Sequence, residues 1–149
     1  AADLAQGFAV QRQDPDVAVI REAALLHDFA HMLLWCHAPR LALQLSHSEL
    51  DDPVAAQRQV LGIDLAALQQ ALVGAWHLPE LLLQLADERH AASSQVRNVT
   101  LAVRLARHPL PRWNASELTS GLEQDLQQLS RLLGLAREPT LDLLRSLGD

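Results

Sequence analysis

Tyrosine is absent from this chain of 149 residues, and phenylalanine occurs only twice. Sheets favour aromatic side chains, so their scarcity disfavours strands. Cysteine occurs once, at Cys36, which excludes an intrachain disulfide. The six glycines are widely spread. They form no Gly-rich phosphate loop, and Gly-x-Ser-x-Gly and Cys-x-x-Cys are also missing, so backbone cradling of a nucleotide has no support. Positive charge is short: 12 basic against 18 acidic residues give a formal net charge of -6. Nucleic-acid binding rests on Lys and Arg neutralising phosphates, so no nucleic-acid partner is expected. The arginines, from Arg12, Arg21, Arg40 and Arg58 to Arg89, Arg97, Arg104 and Arg107, are scattered, and no run of like charge forms a tail. There is no charged-then-apolar leader and no apolar run of about 18 residues, so no membrane partner is expected and a cytoplasmic location follows. The opening Ala1-Ala2-Asp3-Leu4 lacks an initiator Met, as a fragment or a trimmed chain would.

What is abundant is apolar and helix-favouring. Hydrophobic residues make up 49% of the chain, much of it Leu and Ala, the leaders of the helix scale. The expectation is an all-α fold: one compact helical bundle over 1–149, with about nine helices. A chain of this length buries roughly 68–70% of its unfolded surface.

The chain reads as a succession of capped helices. Leu4 to Val10 form a short one. Asp14-Pro15-Asp16 supplies a start signal, with a cap, a Pro at the first position and an acid in the first turn. That helix is expected to run from Pro15 to about His37, with Val19, Ala23, Leu26, Ala30 and Leu33 on one side, until Pro39 breaks it. Cys36 is read as a buried thiol packed with Trp35. A helix follows from Arg40 to about Leu50. Asp52-Pro53 caps another that ends near Gly62. Asp64 caps the next, whose stripe is Leu65, Leu68, Leu72 and Trp76. A turn at His77-Leu78-Pro79-Glu80 leads into a helix from Pro79 to about His90. Ser93-Ser94 cap or loop into a helix from Val96 to His108, with Val99, Val103 and Ala106 on one side. Pro109 and Pro111 form a rigid connector, and Trp113 packs over the helix that follows. Asn114-Ala115-Ser116-Glu117 fits a capping box; that helix reaches about Leu133, with Gly134 as its C-terminal cap. Pro139 to Leu147 complete the set.

Three stretches stand out: Ala23-Ala24-Leu25-Leu26-His27-Asp28, Leu61-Gly62-Ile63-Asp64, and Ala75-Trp76-His77-Leu78-Pro79-Glu80. His and Asp side by side are both metal ligands. Together the stretches resemble the HDOD family, the HD-related output domain of bacterial signalling proteins, over roughly Asp14 to Leu147. The family's more N-terminal helices are read as missing or outside this chain. The resemblance implies an all-α domain with an output or adaptor role.

The resemblance also implies where a metal centre would stand. His27 and Asp28 match the superfamily's His-Asp pair. The upstream His has no counterpart in residues 1–26. The His that often follows Gly-Ile-Asp is Leu65 here, an adjacent pair of His becomes Arg89-His90, and the terminal Asp falls at Val103. A catalytic centre needs about three protein ligands and an open position, and the metal polarises the phosphoryl oxygen and activates water. No catalytic residue, metal or cofactor is therefore expected, and His27 and Asp28 are vestigial. His31 is a weaker candidate, four residues from His27 and so on one face of a continuous helix. The plainer reading has His27 and Asp28 hydrogen-bonding neighbouring helices. Gly62, Asp64, Trp76, Leu78 and Pro79 are read as structural, forming turns and caps, with Trp76 as the alternative partner-binding edge. His47, His90 and His108 are isolated and read as surface or capping residues. Asn114-Ala115-Ser116 matches a glycosylation sequon that carries no weight without secretion.

The expected function is a non-catalytic regulatory domain that signals through contact with a protein partner, of identity and oligomeric state not given by the sequence. The alternatives are a residual metal-dependent phosphohydrolase using His27, Asp28 and His31, and a sensor in which Arg89 holds a small anion.

Overall fold

The computed structural model describes residues 1–78, 82, 84, 93–108 and 120–148. Among them every regular element is an α-helix, and there are nine. The chain divides into two compact units, one formed by 1–27 with 80–149 and the other by 28–79.

In the first unit, α1 (Ala2–Gln11), α2 (Val17–Leu25), α7 (Ser94–Ala106), α8 (Ser120–Leu133) and α9 (Arg137–Gly148) pack together. α1 lies against α2, α7 and α9, and α8 lies against α7 and α9. The core is Leu4, Phe8, Ile20, Val96, Val99, Leu105, Leu122, Leu129, Leu141 and Leu144, all buried. Two small contacts let α1 serve several neighbours. Ala5 and Ala9 admit the fully buried Asn98 of α7. With its amide oriented by its partners, Asn98 donates to the Ala5 carbonyl and accepts from the Ala9 N–H, each at 3.2 Å. Gly7 leaves room for Leu147: a Cβ on Gly7 would stand 2.3 Å from Leu147 Cδ1.

The turn between α1 and α2 is held by polar groups. Asp14 Oδ1 accepts from Asp16 N–H at 3.1 Å. Gln95 donates from Nε2 to both Asp14 and Asp16 at 3.0 Å. Arg12 donates to Ser94 Oγ and to its carbonyl, at 2.6 and 3.1 Å. Each is a partly buried group with a partner, as burial of polar atoms demands. Asp-Pro-Asp thus builds a turn, and α2 starts at Val17 with Asp16 at the cap position, two residues later than the sequence suggests. On α7, Val99 and Val103 face inward as expected, whereas Ala106 is exposed; Ala102 and Leu105 take the inner positions near the C-terminal end.

The second unit holds α3 (Phe29–His37), α4 (Pro39–Ser46), α5 (Pro53–Leu61) and α6 (Leu65–Ala75). α3 packs on α4 and α6, and α4 on α5. Sequence signals set its boundaries well. Asp52 Oδ1 accepts from Val54 N–H at 2.9 Å, with Pro53 in the first turn. Gly62 ends α5 at φ 74°, a left-handed backbone that suits glycine. Asp64 Oδ1 accepts from Ala67 N–H at 2.8 Å and starts α6.

The helix expected from Pro15 to His37 is two helices. α2 ends at Leu25, and α3 starts at Phe29. The break contains neither Pro nor Gly, so packing supplies its reason. In one straight helix, nine residues at about 100° each would put Phe29 roughly 180° from Ile20. Both are buried, so a straight helix would need neighbours on opposite faces at its two ends, and the break falls where the chain passes from the first unit to the second. Leu68 and Leu72 of the α6 stripe are only half-buried, and Val73 is the buried residue of that helix. Of the expected helix from Pro79 to His90 only Leu82 and Gln84 are described, both helical; the Pro109–Pro111 connector, Trp113 and the Asn114 capping box lie outside the described residues.

Candidate functional site

The His-Asp pair occupies the break. His27 is half-buried and Asp28 exposed, and neither is a free group. Asp28 stands at the cap position of α3, where its backbone carbonyl accepts Met32 N–H at 3.0 Å. His31 lies within α3. His27 and His31 therefore do not share a helix face, and the two-His pattern read from their spacing is corrected by the break at 26–28. His31 is committed elsewhere: its Nε2 accepts from Trp35 Nε1–H at 3.2 Å, with ring centroids 6.5 Å apart. An acceptor nitrogen used this way has its lone pair occupied.

Two of the positions matched to further ligands, Leu65 and Val103, carry no metal-binding group. Leu65 opens α6, and its backbone N–H donates to Gln57 Oε1 at 2.9 Å. Val103 is buried in α7. Among the described residues, no three His, Cys, Asp or Glu side chains are placed to hold a metal ion. An HD-type centre needs about three protein ligands, and the described residues supply no such group. Arg89 and His90, on which the anion-sensor reading depends, lie outside the described residues, as does Pro79.

Leu61-Gly62-Ile63-Asp64 builds a helix–turn–helix corner with both ends satisfied. Asp64 Oδ2 accepts from Arg58 Nε and Nη2 at 3.2 and 2.9 Å while Oδ1 caps α6. The Ala67 N–H, and after it the Arg58 guanidinium, holds the Asp64 carboxyl below its ordinary value. Trp76 closes α6, and Leu78 N–H returns to the Val73 carbonyl at 3.0 Å. His77 adopts φ 53° in this reversal, a region non-glycine residues seldom enter. The Trp76 ring sits 5.8 Å from Phe29, tilted by 39°, yet 53% of Trp76 remains exposed.

That exposure is part of a larger pattern. Nine large apolar side chains are exposed among the described residues, and seven belong to 28–79, among them Met32, Trp35, Leu41, Leu43 and Trp76. The buried residues of this unit are few and mostly small: Phe29, Ala30, Leu34, Ala42, Ala56 and Val73. Cys36 is exposed and Trp35 is 42% exposed, so the expected buried Trp35–Cys36 pair is corrected. They sit on the side of α3 opposite Ala30 and Leu34. The signal was in the sequence. Residues 29–37 carry no Asp, Glu, Lys or Arg, and a helix apolar all round reads as buried. His47 does act as a capping residue, with Nδ1 2.8 Å from the Leu43 carbonyl.

A family model described as the HDOD domain matches residues 1–92. The match reaches past Asp14 to the first residue and stops before α7, so it contains all three motif stretches. No curated protein and no solved structure matches the chain significantly.

Proposed function

Since the chain belongs to the HDOD family, we propose that it is a non-catalytic regulatory domain of a bacterial protein, acting in the cytoplasm through contact with another protein. The carrying observation is the exposed apolar surface of 28–79, which lies wholly inside the family match. Large apolar groups crowded on one small unit mark contact surfaces, and Trp is the side chain most often found at their energetic centres. The donors around His27, Asp28 and His31 support the same reading from the other side, because among the described residues no three are placed to hold a metal ion, and the hydrolytic centre of the HD superfamily needs about that many ligands. No helix among the described residues is long and apolar enough to cross a membrane.

The test is the metal content of the purified protein by elemental analysis, beside a His27→Ala/Asp28→Ala variant, followed by phosphodiester and nucleotide turnover with added Mn, Fe, Mg or Zn. Neither stoichiometric metal nor metal-stimulated turnover is expected. Stoichiometric metal lost in the variant, with turnover lost alongside it, would replace this reading with a residual phosphohydrolase.

A further inference from the structure

Helix α3 turns His31, Met32, Trp35 and Cys36 to solvent. These residues lie at i, i+1, i+4 and i+5 and form one stripe. The stripe carries no formal charge, although the chain carries -6. Exposed charges of opposite sign mark its two ends: Asp28 precedes α3, and Arg40 follows in the first turn of α4.

We propose that this stripe is the contact of a two-fold dimer, in which α3 of one copy lies antiparallel across α3 of a second copy. The inference rests on reading 28–79 as a contact surface and names its occupant. A two-fold contact is isologous, so the patch must complement itself. Centred between Leu33 and Leu34, the antiparallel register sets Met32 of each copy against Trp35 of the other. A thioether on an indole is a favourable pairing. His31 then faces Cys36 of the other copy, and Asp28 comes level with the other copy's α3–α4 junction, next to which Arg40 stands, twice over. A parallel register would set Asp28 against Asp28 and Arg40 against Arg40. The uncharged centre brings no like charges together as two acidic chains meet. A nine-residue helix makes an interface at the small end of the known range, so association in the micromolar range or weaker is expected.

The register is tested by a disulfide. Cys36 of the two copies would be offset by five residues, about 7.5 Å along the helices, on axes about 8–10 Å apart. That exceeds the roughly 7 Å limit between Cα atoms for a disulfide. A thiol introduced by His31→Cys would stand opposite the native Cys36. Mild oxidation of this variant should give a covalent dimer on a non-reducing gel, lost again on adding Cys36→Ser, whereas the native chain should not cross-link.

In sedimentation up to about 1 mM, where weak pairs become visible, the native mass should rise from 16.4 kDa toward twice that. Trp35→Asp should weaken association by about 30-fold or more, the scale of an interface hot spot. Met32→Glu serves as a second variant should circular dichroism show the first unfolded. A native monomer throughout, doubling untouched by both variants, or cross-linking of the native chain as ready as that of His31→Cys would each overturn the proposal. Metal content and turnover decide the non-catalytic reading separately.

Discussion

Replacing Asn98 by Asp changes one nitrogen to one oxygen at a fully buried position, and the two atoms differ in what they can do for α1. The Asn98 amide donates to the Ala5 carbonyl and accepts from the Ala9 N–H, both at 3.2 Å. A carboxylate introduced at position 98 keeps the second bond. It loses the first and turns an anionic oxygen toward a carbonyl. Burial of a charge costs several kcal/mol even after relaxation, and the group responds by raising its pKa. At about 1.4 kcal/mol per unit, a rise of some two to three units gives a loss of about 3–4 kcal/mol at neutral pH. That is a large share of a typical 5–15 kcal/mol stability. The folded pKa lies above the unfolded value of about 3.9. The stability held by the protonated form is therefore fully present below the unfolded pKa and is lost as pH rises through the folded one. Protonated, the side chain can donate to the Ala5 carbonyl again. Urea unfolding of the native chain, Asn98→Asp and Asn98→Ala at pH 4.5 and 7.5 measures this. Asn98→Ala should lose about 1–3 kcal/mol at both pH values, from the missing hydrogen bonds and a small void. Asn98→Asp should lose more than Asn98→Ala at pH 7.5, and its deficit should shrink at pH 4.5. A deficit below 1 kcal/mol at pH 7.5, or one indifferent to pH, would refute the reasoning.

Gly7→Ala places a methyl 2.3 and 2.6 Å from the two δ-carbons of Leu147. Displacing that flexible tip costs about 1–3 kcal/mol, offset by roughly 1 kcal/mol of helix propensity; in a double-mutant cycle, Leu147→Ala should remove the clash. Asp64→Ala should lower the melting midpoint at pH 7, because the cap on Ala67 and the Arg58 pair are lost together. The Asp64 carboxyl is held below its ordinary 3.8, so its contribution is present above that value and lost as pH falls through the folded pKa. The native and Asp64→Ala midpoints should accordingly converge well below pH 3.8. Cys36 is exposed, so one thiol per chain should react with a disulfide reagent without denaturant; reaction only after unfolding would contradict the exposed face of α3.

Local chemistry made the second unit's corners readable. Asp52-Pro53, Gly62 and Asp64 each act through atoms within six residues of themselves, and such signals survive whatever the tertiary fold does. Gly134, left-handed at φ 66°, is the same kind of signal after α8. The break at 26–28 has no local sign: no Pro or Gly marks it, and it falls at the boundary between the two units, which is a property of the packing of the whole chain. The exposure of Cys36 and Trp35 likewise has no local sign. Burial habits describe residue types on average, while exposure belongs to a helix face. The apolar run that suggested a core position is the run that faces solvent. Asn98 was invisible as well, since its partners Ala5 and Ala9 lie some ninety residues earlier in the chain. Of the candidate metal set, the residues themselves were legible, and their separation into a turn and a helix was not.

The division of the chain has a consequence during synthesis. α1 and α2 belong to the first unit, yet α7, against which both pack, begins 69 residues after α2 ends (94 minus 25). At about 5–20 residues per second, the ribosome needs roughly 3–14 s to make that stretch. The unit 28–79 is contiguous, so its own packing partners are all present once residue 79 has been made. Phe8 and Ile20 must wait without Val99 and Leu105, so the apolar faces of α1 and α2 stay without their α7 partners for the whole of that interval.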